Sequence, residues 1–410
     1  MNNQEHTLDL KIGVVGFGLR SSLWRHVHKP GRGSIISIVC DTSERGRAEA
    51  AAKLPGAMIT GNLDELLDLD LDGVLVLTPD HHHAPVVLRT LDAGIPTFCE
   101  KPMATTIEDA DAMLDRACTT GTKLYIGHNM RHMPVIVQMR ELITQGAIGD
   151  VKAIWCRHFI GNGGDFYFKD WHADRRNSTG LLLQKGAHDI DIIHWLAGGY
   201  TTRVAAMGAL SVYGTITDRK DRADERMWDW YSLDNWPPTA QTGLNPVVDV
   251  EDISMMNMQL DNGVLASYEQ CHFTPDYWRN YTIIGTAGRI ENIGDGPGDQ
   301  IHVWTQRHPG FAEPDEVHTI RDGDGGHGGA DPLLMAEFLR FIRDGGSTVT
   351  SPVAAREAIA AGCAATESLR GDGSAIAVPP LDPKLCQYFQ AVDATAPALV
   401  DETVGVIVDQ

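Results

Sequence analysis

Ile12-Gly13-Val14-Val15-Gly16-Phe17-Gly18-Leu19-Arg20-Ser21 is the stretch that decides the fold. A β-branched apolar run ends directly in Gly-x-Gly, and a helix-like segment follows. Strands buried on both faces of a parallel sheet read as such continuous runs. Gly16 makes the tight turn, and Gly18 lets backbone approach a pyrophosphate. The helix starting near Leu19 turns free N–H groups and a positive dipole end toward the phosphates. Phe17, Leu19 and Arg20 complete the loop as expected cofactor contacts. Ser21 replaces the third glycine of the dinucleotide fingerprint, which serves helix–strand packing. An ordinary glycine turn would use the same two glycines; the strand before and the helix after favour a nucleotide site. Asp41 closes the second strand about 20 residues on. A carboxylate there accepts from a ribose diol and repels a 2′-phosphate, which predicts NAD over NADP. A helix N-cap is the other use of such an aspartate, and Arg45 and Arg47 keep NADP open.

Moving outward, further strands are expected at Ile36–Cys40, Val74–Leu77, Thr97–Cys99 and Leu124–Ile126. Helical periodicity fills Glu44–Lys53, Ala84–Ala93 and Ile107–Thr119 between them. This is a βαβ series, so residues 1–128 are expected to form a doubly wound parallel α/β Rossmann domain. Beyond Gly149 the pattern changes. One helix is expected over Thr179–Leu196. Strands are expected at Val151–Phe159, Arg203–Tyr213, Ile253–Leu260, Val264–Phe273, Tyr281–Gly285 and Ile301–Thr305. Asp261-Asn262-Gly263 is a hairpin signal. Residues 129–380 therefore read as an α+β domain on a mostly antiparallel, open-faced sheet. Its helices near 331–370 are expected to pack back on the first domain, and 381–410 form a tail without period. Residues 214–250 are a long irregular stretch rich in tryptophan, suited to sugar stacking or to subunit contact.

The 410 residues hold 34 Lys and Arg against 55 Asp and Glu, a net charge of −21. That excludes a broad nucleic-acid face and attraction to an anionic membrane. No apolar run is long enough to cross a bilayer, and the polar, acidic start is unlike a signal peptide. The seven cysteines are scattered, with no C-x-x-C pair, so a reducing cytoplasm is expected. His81-His82-His83 has no acid or cysteine at ligand spacing, and no metal is expected.

Three further segments carry a resemblance. Thr78-Pro79-Asp80-His81-His82-His83, Glu100-Lys101-Pro102 and Gly186-Ala187-His188-Asp189-Ile190-Asp191 resemble the T-P-N-x-x-H, E-K-P and G-x-H-x-x-D motifs of the Gfo/Idh/MocA oxidoreductases. The resemblance spans about residues 8–370. It implies NAD(P), a carbohydrate or polyol substrate and a homo-oligomer, dimer or tetramer. It places Thr78, Pro79, His83, Glu100 and Lys101 beside the cofactor, and implies a cis bond before Pro102. Lys101 becomes the group that polarises the reacting hydroxyl, and His188 the base or proton relay. Asp191, Gln184, Asn129 and Arg131 line the substrate. Gln184 departs from the aspartate that many relatives carry, and Lys185 is unusual in a helix facing a pocket. His327-Gly328-Gly329 brings either a ligand donor or a plain glycine turn before Asp331. The expected activity is hydride transfer at a secondary alcohol of a sugar or cyclitol. Two rivals stay open: a redox-neutral glycosidase using bound NAD, and a non-catalytic NAD-binding sensor.

Overall fold

The computed structural model describes residues 9–323 and 325–394. Residues 1–8 and 395–410, which hold most of the polar start and the end of the expected tail, lie outside the described residues. Six strands are β1 (Leu10–Val15), β2 (Ser34–Cys40), β3 (Met58–Thr60), β4 (Gly73–Val76), β5 (Thr97–Cys99) and β6 (Leu124–Ile126). They form one parallel sheet ordered β3-β2-β1-β4-β5-β6. The order reverses direction beside β1, and that switch point is where α/β sheets bind ligands, beyond the carboxyl ends of the strands. Helices α1 (Glu44–Lys53), α2 (His83–Asp92) and α3 (Ile107–Thr120) start at residues the sequence supplies. The Ser43 side chain caps α1, the Thr106 side chain caps α3, and Gly121 ends α3 in the left-handed region at φ 68°.

Helix α4 (Pro134–Thr144), which the sequence reading did not find, leads into the second sheet. Its strands are β7 (Val151–Ile160), β8 (Thr201–Ala209), β9 (Ile253–Leu260), β10 (Leu265–Cys271), β11 (Tyr277–Gly285), β12 (Arg289–Ile293), β13 (Gln300–Trp304), β14 (Glu316–Thr319) and β15 (Ile376–Ala377). The order is β14-β13-β12-β11-β7-β10-β9-β8-β15. All neighbours are antiparallel except β7 and β10. One face packs on a core that includes Ile190, Ile193 and Leu196. The other exposes Trp155, Met207, Met255 and Leu265.

The expected single helix over 179–196 is broken. Thr179 sits at φ 63°, a short turn covers Leu181–Gln184, and after Lys185 helix α5 (Gly186–Ala197) begins. Helix α6 (Ala330–Asp344) buries Leu334, Met335 and Phe338 against Ile12, Val14 and Phe98 of the first sheet. Helix α7 (Pro352–Arg370) adds Ala355 and Ile359 to the core on the sheet's other face. The expected shapeless tail holds α8 (Pro383–Ala394), whose Leu385 and Phe389 join that core. Two apolar contacts four residues apart make too short a period to stand out in sequence.

Candidate active site

The glycine loop is built for close approach. Gly16 has φ 88°, and a Cβ there would lie 2.9 Å from Leu77 C and from Thr78 N, so no side chain fits. A Cβ on Gly18 would meet only the Arg226 guanidinium, 3.5 Å away. Asp41 accepts from the Phe17 N–H at 2.6 Å, and from the Ser43 N–H at 2.7 Å and hydroxyl at 2.6 Å. Its carboxylate thus fixes the loop and keeps lone-pair capacity for a further donor. Arg47 donates to the carbonyls of Asp41 and Thr42, at 2.9 and 2.8 Å. Arg45 pairs with Glu49 at 3.0 Å and with Asp229 at 2.6 Å. Both arginines are therefore occupied. Two residues past β4, the Thr78 hydroxyl is buried without a partner among the described residues. Glycine cradle, acid and orphan hydroxyl together fit a dinucleotide, with Gly16–Gly18 to hold its pyrophosphate and Asp41 its ribose.

Next to this loop lies a seam of charge. Arg20 donates to Glu100 at 2.7 Å and to both oxygens of Asp331 at 3.1 Å. Asn129 Nδ2 donates to Asp331 at 3.1 Å, and His327 Nδ1 lies 2.9 Å from it. Against the upward push of burial, His327 and Arg20 hold the Asp331 carboxyl far below its usual range. Arg20, Asn129 and His327, expected at cofactor or substrate, are thus committed to locking α6 onto the glycine loop. His83 is likewise a brace: its ring nitrogens lie 2.7 Å from Pro102 O and 2.9 Å from Thr78 O. Pro79 begins that loop, and Leu19 remains exposed.

The reactive end lies beyond β5 and β6. The Lys101–Pro102 bond is cis, and Lys101 Nζ lies 3.4 Å from the Gln184 carbonyl. Burial first, and the Lys185 ammonium second, push the Lys101 amine down to about 8. Lys185 is pushed down to about 7 by burial and Arg279. Its Nζ rests 5.6 Å from the Tyr167 ring centroid and 5.8 Å from that of Tyr277. His188 Nδ1 is buried without a partner. Burial, Lys101 and Lys185 hold its imidazole neutral, well below the ordinary value. Lys185 keeps helical φ and ψ of −93° and −41° at the interruption, and the Gln184 side chain lies against the buried Asp80, whose carboxyl burial pushes up. Asp191 does not reach out to hydroxyls. It is 1% exposed, and Arg131 donates to both its oxygens, at 2.8 and 2.7 Å.

His128 is the residue that sequence reasoning missed here. Its ring stands edge-on to His188, with centroids 6.3 Å apart, and its Nδ1 lies 3.4 Å from Asp191. The available signal was its position just past β6, at the carboxyl edge of the sheet. Arg226 had no such signal. It donates to Phe17 O at 2.8 Å from the middle of the irregular 214–250 stretch. Trp230 and Asn235 anchor that stretch on Asp165, at 2.8 and 2.7 Å. Instead of standing free, the stretch folds across the nucleotide edge.

Residues 10–128 match the oxidoreductase family, NAD-binding Rossmann fold, and residues 140–378 match that family's C-terminal alpha/beta domain. The chain belongs to the Gfo/Idh/MocA family. Among members, YteT of Bacillus subtilis (strain 168) is 27% identical over 310 residues, 65% of this chain and 72% of YteT. Inositol 2-dehydrogenase 2 of Saccharopolyspora erythraea is 30% identical over 194 residues, 47% of this chain. The match spans about half of that dehydrogenase's length, 55%. A levoglucosan dehydrogenase solved with NADH and L-sorbose superposes with TM-score 0.72 at 20% identity, covering 91% of this chain and 100% of that one. At that identity the likeness shows the Gfo/Idh/MocA fold alone.

Proposed function

We propose that this Gfo/Idh/MocA protein is an NAD-dependent oxidoreductase acting on a secondary alcohol of a sugar or cyclitol. The observation that carries this is Lys101: a half-buried lysine just past the carboxyl end of a parallel strand, its amine's proton affinity lowered by desolvation to about 8, with His188 beside it. A bound nicotinamide supplies the hydride acceptor. Lys101, in its neutral form, takes the hydroxyl proton, and a general base works best with a pKa near the operating pH. His188, held neutral, donates a ring N–H to the developing oxyanion. His128 stands edge-on behind it, its ring centroid 6.3 Å away, while Asp191 stays paired with Arg131. Asp41 supports NAD over NADP, and the commitment of Arg45 and Arg47 to other partners supports it further.

The relative named as an inositol 2-dehydrogenase supports a polyol or carbohydrate substrate. The apolar open face of the second sheet supports a homo-oligomer. Seven free thiols support a reducing, cytoplasmic setting. A screen of sugars, cyclitols and glycosides, following both NADH absorbance and released aglycone, tests the reading. NADH formed from a polyol supports it. Aglycone release without net NADH would replace it with the glycosidase reading.

A further inference from the structure

Buried cations in this protein come with carboxylates. Arg131 has Asp191, Lys169 has Asp165 at 2.8 Å, and Arg356 has Asp111 at 2.7 Å. Arg279 Nε lies 3.0 Å from Asp189. Lys185 breaks the pattern. It is 8% exposed, and among the described residues its ammonium makes no hydrogen bond and no ion pair. Only the faces of Tyr167 and Tyr277 attend it. Asp189 and Asp295 attract it through space, but Asp189 is already held by Arg279, His158 and Tyr281. Asp295 lies on the far side of the same guanidinium, 3.9 Å from Arg279 Nη1. Lys101 lies next to it, its Nζ 3.4 Å from the carbonyl of Gln184, the residue before Lys185. Asp80 and Glu100 attract Lys101, but no carboxylate pairs with the Lys185 ammonium among the described residues, so its charged form is costly until an anion meets it.

We propose that the substrate supplies the missing charge: it is a sugar acid or cyclitol acid whose carboxylate pairs with Lys185. This rests on the oxidoreductase reading and adds the substrate class to it. The cofactor does not provide the anion, because Lys185 packs on Tyr277 of β11 while the phosphate cradle is Gly16–Gly18 of the other sheet. A phosphate ester calls for a guanidinium fork or several converging N–H donors. One ammonium between two tyrosine faces matches one carboxylate on a ring, with the ring's apolar face against the aromatics. Held at that end, the acid turns its ring hydroxyls toward Lys101 and His188.

The test compares kcat/KM with NAD⁺ for D-glucuronate against D-glucose and D-galacturonate against D-galactose, with D-glucose 6-phosphate as the phosphate arm. Wild type, Lys185→Met and Lys185→Arg are measured. The acids are expected to exceed their neutral parents by at least about tenfold in wild type, as a hydrogen bond to a charged group supplies. The ratio falls to about one in Lys185→Met and largely survives in Lys185→Arg. A wild-type ratio near one, or a ratio unchanged in Lys185→Met, overturns the proposal and leaves the hydride-transfer reading intact. A preference for glucose 6-phosphate over glucuronate overturns the carboxylate assignment. If no sugar reduces NAD⁺, the hydride-transfer reading fails, and calorimetry of both uronates on the NAD⁺-saturated protein decides the Lys185 claim. Binding that disappears in Lys185→Met supports it, and no binding in wild type overturns it.

Discussion

Around the glycine loop, Arg20 holds Glu100 and Asp331, Asn129 and His327 hold Asp331, and Asp41 holds the loop itself. Beyond β5 and β6, among the described residues, Lys101 Nζ hydrogen-bonds only a carbonyl at 3.4 Å, Lys185 has two aromatic faces, and His188 Nδ1 has no partner. The first region has spent its charges on its own shape. The second keeps them for whatever enters. Unpaired buried groups are costly, and folded proteins keep them mainly where chemistry uses them.

The largest effect expected from this contrast is catalytic. Lys101→Met is expected to lower turnover by about a thousandfold, as for loss of a general base, while NAD affinity changes little. The wild-type rate of oxidation is expected to rise with pH through about 8, because the neutral amine is the proton acceptor and burial sets its value there. That step disappears in Lys101→Met. No step near the ordinary imidazole value is expected from His188, which is held well below it. Near-normal turnover in Lys101→Met on a confirmed substrate breaks the contrast at its centre.

Asp331→Ala attacks the paired region instead. It leaves the Arg20 guanidinium and the Asn129 amide without their shared acceptor. Arg20 keeps Glu100 at 2.7 Å, so the loss is that of hydrogen bonds to a charged group, about 1.5–3 kcal/mol, and a clear fall in the thermal midpoint is expected. A midpoint unchanged within a degree would mean that the seam contributes nothing to docking α6.

How much of this contrast sequence could show depends on the range of the interactions. The first sheet was legible because its strands are continuous apolar runs, and the glycine loop because its chemistry is local. The broken helix at Lys185 was not: Leu181 to Leu196 keeps apolar periodicity through the break, and the left-handed Thr179 carries no residue signature. β3, β12, β14 and β15 were missed because each is short, with two to five residues. In the site, Lys101 and His188 were legible through their motifs. Their electrostatic state was not, because it depends on Lys185, Arg279 and burial. Asp191 and His327 looked like ligands in sequence since nothing local reveals that Arg131 and Asp331 have claimed them.

Lys185→Met sharpens the comparison from the side of stability. The folded-state value of Lys185 is about 7 against 10.5 for the free side chain. Below pH 7 both folded and unfolded chains carry the proton, and the folded chain bears the full cost of burying it. Between 7 and 10.5 the unfolded chain holds a proton that the folded one lacks, so wild-type stability recovers as pH rises. Lys185→Met is therefore expected to stabilise the ligand-free protein by about 1–4 kcal/mol at pH 6. The gain shrinks toward pH 10. Denaturant melts at several pH values check this, and a destabilised variant at pH 6 would show that Lys185 is a structural cation after all.

The smallest effect belongs to Asp41, which serves both shape and binding. A Cβ on Gly46 would lie 2.4 Å from the Asp41 carboxyl carbon, so the first turn of α1 is packed directly on this side chain. Asp41→Ser keeps a short polar group but removes the acceptor of the Phe17 N–H and the negative charge. Two consequences separate. Loss of the hydrogen bond loosens the loop and weakens both cofactors alike. Loss of the charge removes repulsion of a 2′-phosphate and one acceptor for the ribose, so it acts on the NAD to NADP ratio alone. Arg47 stays tied to the carbonyls of residues 41 and 42, and Arg45 to Asp229, so no new phosphate ligand is released. The ratio is therefore expected to narrow by about tenfold, one hydrogen bond's worth, without reversing. Fluorescence titrations of both cofactors against wild type and Asp41→Ser measure it. Equal affinities in wild type would end the NAD assignment, and a full reversal in the variant would show that Arg45 or Arg47 leaves its partner to bind the phosphate.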